Sequence, residues 1–351
     1  MRTQQKKAHY QGKQSPQRDD LNIFVDWLKI RAHNSGRWPE KNSGHLMRVD
    51  EHGEIEYLVH THIKAEGSHD SSAQIRVTRE ELELSFNPSR FNREENLFGC
   101  TYEQALQVAN ELLHSLGLKE LQDFDITRLD VTQNLSTGSS GQLDAYIRHL
   151  KHIKMPKKTT YTKYDAAIFQ NKQVKITVYK KADEIRVHSK DIENPQTLEY
   201  RLKVADYCES EGVSRVEVRF NRKALINRGI RKSKHVNQER LVEAFKKELS
   251  PMPKKTNEVI AEQLTDGETG SLLQWKAGFD PREKISKNTF YARRREILRK
   301  TGYDIAGEMP TRFDSKKVTV QTWPTEIPPW YMSPFKDDED PNQRKLELVE
   351  E

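Results

Sequence analysis

The sequence predicts an α+β fold: an antiparallel β-sheet with packed helices, followed by a mainly helical C-terminal region. Three observations predict it. Segments 126–134, 174–181 and 213–220 alternate apolar with polar residues at period 2, the spacing of a strand with one core face and one polar face. Residues 101–117 repeat Ala105, Ala109, Leu112 and Leu116 at helical spacing. Beyond Leu225 the strand pattern fades and helical periodicity takes over.

Taken in chain order, residues 1–20 are rich in Lys, Gln and Arg with few hydrophobes, and read as a flexible basic tail. Phe24-Val25-Asp26-Trp27-Leu28 is apolar on both faces except for one acid, the pattern of a buried strand with a carboxylate planted in it. Residues 55–64 alternate, with Ile55, Tyr57, Val59 and Ile63 on one face. Two short strands are expected within 75–86, ended by Asn87-Pro88-Ser89. Thr101 and Gln104 form a capping box, and Gly117 supplies a stop for that helix. A second helix is expected over Leu143–Ile153. The C-terminal helices are expected over Asn237–Leu249, Asn257–Leu264 and Lys287–Lys300, with Ser250–Lys255 as a linker. The resulting division is a tail (1–20), a sheet domain (21–228), a helical region (229–335) and a charged tail (336–351).

Composition narrows the function classes. Of 351 residues, 32% are charged and 34% hydrophobic, the net charge is +6 and the pI is near 9.0, compatible with a polyanionic partner. The two cysteines, Cys100 and Cys208, lack CxxC spacing, so neither a zinc site nor a disulfide framework is expected. No apolar run approaches the roughly 20 residues of a membrane span, and the N-terminus has no signal-peptide pattern. The expectation is a cytoplasmic protein with no membrane partner.

If the three alternating strands share a sheet, their polar faces pool carboxylates, a tyrosine and several cations. A phenol oxygen can hold a phosphate covalently, oxygen ligands suit Mg2+ or Mn2+, and a nearby cation stabilises developing charge. Tyr179 and Lys181 stand two apart in Tyr-x-Lys-x-x-Glu, which ends at Glu184. Asp130 and Glu217, helped by Asp26 or Glu184, are the candidate metal ligands. His60-Thr61-His62 would place two rings on one face with Glu56, either as a metal site or as a solvated histidine face.

Several segments, in the same order, resemble the gene II-type replication initiators of filamentous phages. These are Phe24–Leu28; Asn87-Pro88-Ser89-Arg90-Phe91 with Asn96-Leu97-Phe98-Gly99; Thr127–Thr132; Thr177–Glu184; and Ser214–Phe220. Phe290–Arg294, Gly302-Tyr303-Asp304 and Pro329-Trp330-Tyr331 match in kind. The resemblance spans about 23–334 and implies a nuclease sheet that nicks one strand at a double-stranded origin. It further implies Tyr179 as nucleophile, a covalent 5′-phosphotyrosine, later rejoining, and host helicase and polymerase partners in a bacterial cytoplasm. A non-catalytic origin-binding regulator and a plasmid rolling-circle initiator are the alternatives; a similar Tyr-x-Lys-x-x-Glu strand occurs in some of the latter.

Arg128, Arg215 and Arg219 flank the acids, and Arg293, Arg294 and Arg299 form a basic run with Arg295 and Lys300. These are the expected contacts to duplex DNA and the nicked single strand; a solvated helix face paired to Glu296 is the other reading of the last group. Arg228–Lys234 and Lys154, Lys157, Lys158 and Lys163 are further basic candidates.

Overall fold

The computed structural model describes residues 23–42, 44–163, 165–252, 264–307, 318, 320–323, 328, 330 and 331. A ten-stranded antiparallel sheet forms its frame. The strands are β1 (Ile23–His33), β4 (Ile63–Glu66), β5 (Ser72–Val77), β6 (Glu81–Phe86), β7 (Phe124–Ser136), β8 (Thr159–Lys163), β9 (Ala166–Gln170), β10 (Val174–Lys180), β11 (Val213–Asn221) and β12 (Gln321–Thr322). Their order is β4-β5-β6-β1-β7-β11-β10-β9-β8, and β12 pairs with the end of β7 beyond β1. A separate hairpin joins β2 (His45–Val49) to β3 (Ile55–His60).

Eight α-helices lie among the described residues: α1 (Tyr102–Ser115), α2 (Ser140–Lys151), α3 (Lys181–Val187), α4 (Pro195–Ser210), α5 (Arg222–Asn227), α6 (Gln238–Leu249), α7 (Asp266–Lys276) and α8 (Lys287–Thr301). The α1 capping box forms, with the Thr101 side chain accepting from the Gln104 N–H and the Gln104 side chain accepting in return. Gly117 follows at φ +71°, a conformation cheap only for glycine.

Strand alternation builds the core. Leu28, Leu129, Val131, Val216, Val218 and Ile176 share one face and are fully or almost fully buried. They join one hydrophobic cluster that includes Ala109 of α1, Tyr146 of α2, Phe245 of α6, Trp275 of α7 and Ile297 of α8. The helices after residue 229 therefore pack on the same core as the sheet. A second cluster joins α3 and α4 (Ile185, Val204, Cys208) to Leu97, Val213, Trp323 and Tyr331. Val213 has the strand parity of Arg215 and Glu217, so this cluster covers one end of the polar face.

Several expectations need correction. Residues 55–64 are not one alternating strand: β3 belongs to the outlying hairpin, where Ile55 and Tyr57 are exposed, and β4 belongs to the main sheet. The second helix starts earlier than Leu143, because Ser139 caps it through the Gln142 N–H. The strand expected over 174–181 ends at Lys180, and Lys181 opens α3. The helix expected over Asn257–Leu264, apart from Leu264 itself, and both expected tails lie outside the described residues, as does half of the Ser250–Lys255 linker. The helix α4 was not expected, because its apolar residues are poorly segregated to one side.

Gly99 sits where no side chain fits: a Cβ there would lie 2.0 Å from Phe24 Cδ2 and 2.4 Å from Ser89 Oγ. The Ser89 hydroxyl is already committed, donating to the Val25 carbonyl at 2.6 Å and accepting from the Cys100 N–H. Gly99→Ala should therefore destabilise the fold by about 1–3 kcal/mol, the usual cost of overpacking. Urea unfolding of the variant checks this; an unchanged midpoint would show that the loop yields freely.

Candidate active site

Register places the polar residues of four strands on one surface. Tyr179 of β10 lies directly opposite Arg215 of β11, and Thr177 opposite Glu217. Across the other edge of β11, Arg215 meets Asn134, Glu217 meets Thr132 and Arg219 meets Asp130. On β1 the pairing slips between Val25 and Trp27, leaving Asp26 as an unpaired bulge residue between Phe24, opposite Thr132, and Trp27, opposite Asp130. The bulge adds a residue without turning Leu28 out of the core, and it sets Asp26 apart from the regular ladder.

The Asp26 carboxylate accepts from Asn96 Nδ2 at 2.6 Å and from Asn87 Nδ2 at 3.1 Å, with Arg215 Nη1 4.0 Å away. Asp130 is buried and held by two guanidinium groups: Arg128 at 2.5–3.0 Å and Arg219 at 3.1–3.3 Å. Arg128 also lies over the Trp27 ring at 4.9 Å, and Trp27 Nε1 donates to Ser85. Glu217 is the least compensated of the three acids, with Arg219 Nη2 at 3.7 Å. Burial, and then the charges of Asp26 and Asp130, push its carboxyl up to about 8.

Lys181 differs from its expected place. It is the first residue of α3, is buried, and donates to Glu184 at 2.5 Å and to Asn96 Oδ1 at 2.8 Å. Burial and the Arg215 charge push its ammonium pKa down, against the pull of Glu184. Burial would raise Glu184, but Lys181 and then Arg215 hold it below its ordinary value. The half-buried Tyr179 phenol is pushed well above 10 by burial and then by Glu184, with Arg215 opposing.

The structure thus brings Asp26, Asp130, Glu217, Tyr179 and Arg215 to one face, while Glu184 is engaged with Lys181. Among the described residues no three His, Cys, Asp or Glu side chains form a ready metal cage. The acids nevertheless fit a hard cation. Asp26, Asp130 and Glu217 are hard oxygen donors on one face, and the Glu217 carboxyl is raised first by burial and then by the two neighbouring acids, a repulsion that a cation would relieve. Asp130 is the poorest ligand of the three, since both guanidinium groups occupy it. His62 bonds Glu83 at 3.1 Å within a cluster that also holds Arg31 and Arg76.

Of the expected DNA contacts, Arg128 and Arg219 keep about a third of their side chains exposed, at 30% and 31%. Arg215 has no exposed surface: Nε donates to Asn134 Oδ1, and Nη2 to the carbonyls of Asn96 and Leu97. In this placement it is an internal residue with no surface of its own to offer a duplex. Arg293 donates to Ser271, Arg299 pairs with the exposed Glu296, and Arg294 grips Asp304 through two bonds at 2.6 and 2.8 Å. Burial works against the Asp304 charge, yet Arg294 and Lys154 hold that carboxyl below the usual range. Asn87 and Asn96 orient Asp26 and were not singled out from sequence as site residues. Their only signal there was membership of the Asn-Pro-Ser and Asn-Leu-Phe-Gly segments.

The raised Glu217 carboxyl has a pH consequence. A group whose folded pKa exceeds its unfolded value stabilises most below the unfolded pKa, and that stabilisation is lost as pH rises through the folded pKa. In chelator, stability should therefore fall as pH rises between about 4.5 and 8. Urea midpoints across this range should fall in the unaltered protein and flatten in Glu217→Gln; equal slopes would remove Glu217 as their source.

Residues 24–239 match the phage CRI family model, described as the N-terminal part of a replication-associated protein. No match is found among curated proteins or solved structures. The match covers more than half of the chain and includes Asp26, Asp130, Tyr179, Arg215 and Glu217. Together with the shared order of segments, it identifies the chain as a member of this phage replication-associated family, a replication initiator of the filamentous-phage gene II type.

Proposed function

We propose that this initiator is a nicking-joining enzyme that cuts one strand of duplex origin DNA and holds the 5′ phosphate on Tyr179. The carrying observation is the cross-strand pair of Tyr179 and Arg215, set on a face with Asp26 and Glu217. A nucleophile, a fixed cation and carboxylates suited to Mg2+ or Mn2+ are the parts that phosphodiester transesterification uses. Glu217 and Asp26 would hold the metal, with Asp130 behind them and Glu184 retained by Lys181. When bound, the ion supplies charge to polarise the scissile phosphate and relieves repulsion among the acids.

The chain's own groups divide the remaining work. Asn87 and Asn96 fix the Asp26 carboxylate. Lys181 acts through Asn96, which stands between it and Asp26, and so is a positioning residue. Arg128 and Arg219 orient Asp130 and present partly exposed guanidinium edges to the incoming strand. The helical region after residue 228 provides much of the duplex affinity, with Arg293 and Arg299 of α8 more available than Arg294. No helix among the described residues is long and apolar enough to cross a membrane. A nick leaves a 3′ hydroxyl that a host polymerase extends while a helicase opens the duplex in the bacterial cytoplasm; these partners belong to the same proposal.

Tyr179→Phe, which removes only the attacking oxygen, should abolish conversion of a supercoiled origin plasmid to open circles in Mg2+ while origin binding persists. Peptide mapping should find the 5′-linked DNA on Tyr179 in the unaltered protein. A covalent adduct in Tyr179→Phe would overturn the assignment, and retained binding without cleavage by the unaltered protein would favour a non-catalytic regulator.

A second test separates grip from architecture in α8. Arg293→Ala with Arg299→Ala should weaken duplex binding and reduce the logarithmic salt slope by about 0.9 for each phosphate no longer neutralised. Cleavage of a single-stranded oligonucleotide should persist. Arg294→Ala should instead lower the melting temperature, by leaving the buried Asp304 carboxylate with one fewer partner. Unchanged melting together with weakened duplex binding in that variant would place Arg294 among the DNA contacts.

A further inference from the structure

We infer that Arg215, and not the motif lysine Lys181, is the cation that serves the attacking oxygen of Tyr179; this rests on the nicking reading above. Side chains of directly opposed residues on paired strands are nearest neighbours, and Tyr179 and Arg215 form such a pair. The guanidinium is fixed on three sides. Nε donates to Asn134 Oδ1 at 3.0 Å, and Nη2 donates to the Asn96 and Leu97 carbonyls at 2.6 and 3.1 Å. The Phe24 ring lies 5.0 Å from its central carbon.

The remaining nitrogen is the one that lies in the site without a partner among the described residues. Nη1 is buried, has no hydrogen-bond partner among the described residues, and stands 4.0 Å from Asp26 Oδ1. Most buried donors in folded proteins are satisfied, and an open one calls for an explanation, of which a catalytic role is one. Lys181 is placed differently: its ammonium is engaged by Glu184 and Asn96, and it lies on α3 beyond the end of the Tyr179 strand. Arg215 also keeps its charge at any working pH, so its support does not switch off.

In the step it serves, the Tyr179 oxygen forms a bond to phosphorus while the bond from phosphorus to the 3′ oxygen breaks. The phenolic proton passes to water. The departing 3′ oxygen takes the electron pair of the broken bond and a proton from water. Negative charge crosses the Tyr179 oxygen during attack and returns to it on rejoining, and a fixed donor there counters it in both directions.

The test uses the full chain and a single-stranded oligonucleotide carrying the nick site, in Mg2+. Arg215→Gln should lower kcat about 100-fold or more, as removal of a fixed charge-stabilising donor does, with KM within about threefold. Replacing Tyr179 by a more acidic fluorinated tyrosine should recover about tenfold or more of that loss, because a phenolate that forms readily needs the cation less. The same replacement should give no selective recovery in Lys181→Met. Equal responses to the fluorinated tyrosine in Arg215→Gln and in the unaltered protein would overturn the inference. If Arg215→Gln does not fold, Asn134→Ala, which frees the Nε anchor, takes its place with the same two outcomes. Tyr179→Phe distinguishes the two levels: an adduct in that variant sinks the nicking-tyrosine reading, whereas an inactive variant with no selective recovery sinks only the role of Arg215.

Discussion

Asn96 makes three contacts that bind the charged groups of the site to one another. Its side-chain oxygen accepts from Lys181, its side-chain nitrogen donates to Asp26, and its backbone carbonyl accepts from Arg215. Ionised groups at this depth carry a desolvation cost that only well-placed partners offset. Asn96 is a neutral connector that offers an acceptor to each cation and a donor to the carboxylate. The orientations of Asp26, Arg215 and Lys181 therefore depend on one loop residue, and that loop is itself fixed by Ser89, Gly99 and the close approach of Phe24.

The electrostatics of the face follow from its sheet position. Strands β1, β7, β11 and β10 are central, so polar side chains on them cannot swing freely into solvent. Asp130 is satisfied by Arg128 and Arg219, and Glu184 by Lys181. Among the described residues, Asp26 has two amide donors but no cation closer than 4.0 Å, and Glu217 has only Arg219 at 3.7 Å. The acids left without a close cation are thus Asp26 and Glu217, on the same face as the Tyr179–Arg215 pair. Burial and the neighbouring acids keep the Tyr179 phenol protonated, and in the proposed mechanism a divalent cation would relieve the repulsion among the acids.

The C-terminal part of the chain is built into this arrangement. Trp323 stacks on Phe98 with ring centroids 5.4 Å apart, and its backbone N–H donates to the Asn134 carbonyl. The Tyr331 hydroxyl donates to Glu95 and meets the Phe98 N–H, beside the loop that holds Asn96. Helices α6, α7 and α8 share the sheet's hydrophobic cluster. The helices thus pack on the same core as the sheet, and the segment around Trp323 and Tyr331 packs on the loop that sets Asp26, so on the proposed reading duplex binding and cleavage would share one packed frame.

The sequence by itself determined the α+β class, the three informative strands and their polar faces, because period-2 alternation depends only on local chain geometry and on which side meets the core. It also determined the capped helix after Thr101 and the helices over 237–249 and 287–300, since caps and helical periodicity are local signals. Tertiary structure alone decided which polar residues become partners. Tyr179 faces Arg215 because β10 pairs with β11 in one register, and the bulge at Asp26 appears only when β1 is laid against β7. Lys181 was expected beside Tyr179 on a strand, but the chain turns into α3 at that residue and uses the lysine to neutralise Glu184. Arg215 reads in sequence like any cation on a strand face. Only packing removes it from solvent and leaves one of its donors open, because burial and hydrogen-bond satisfaction are properties of contacts distant in the chain, not of residue type or spacing.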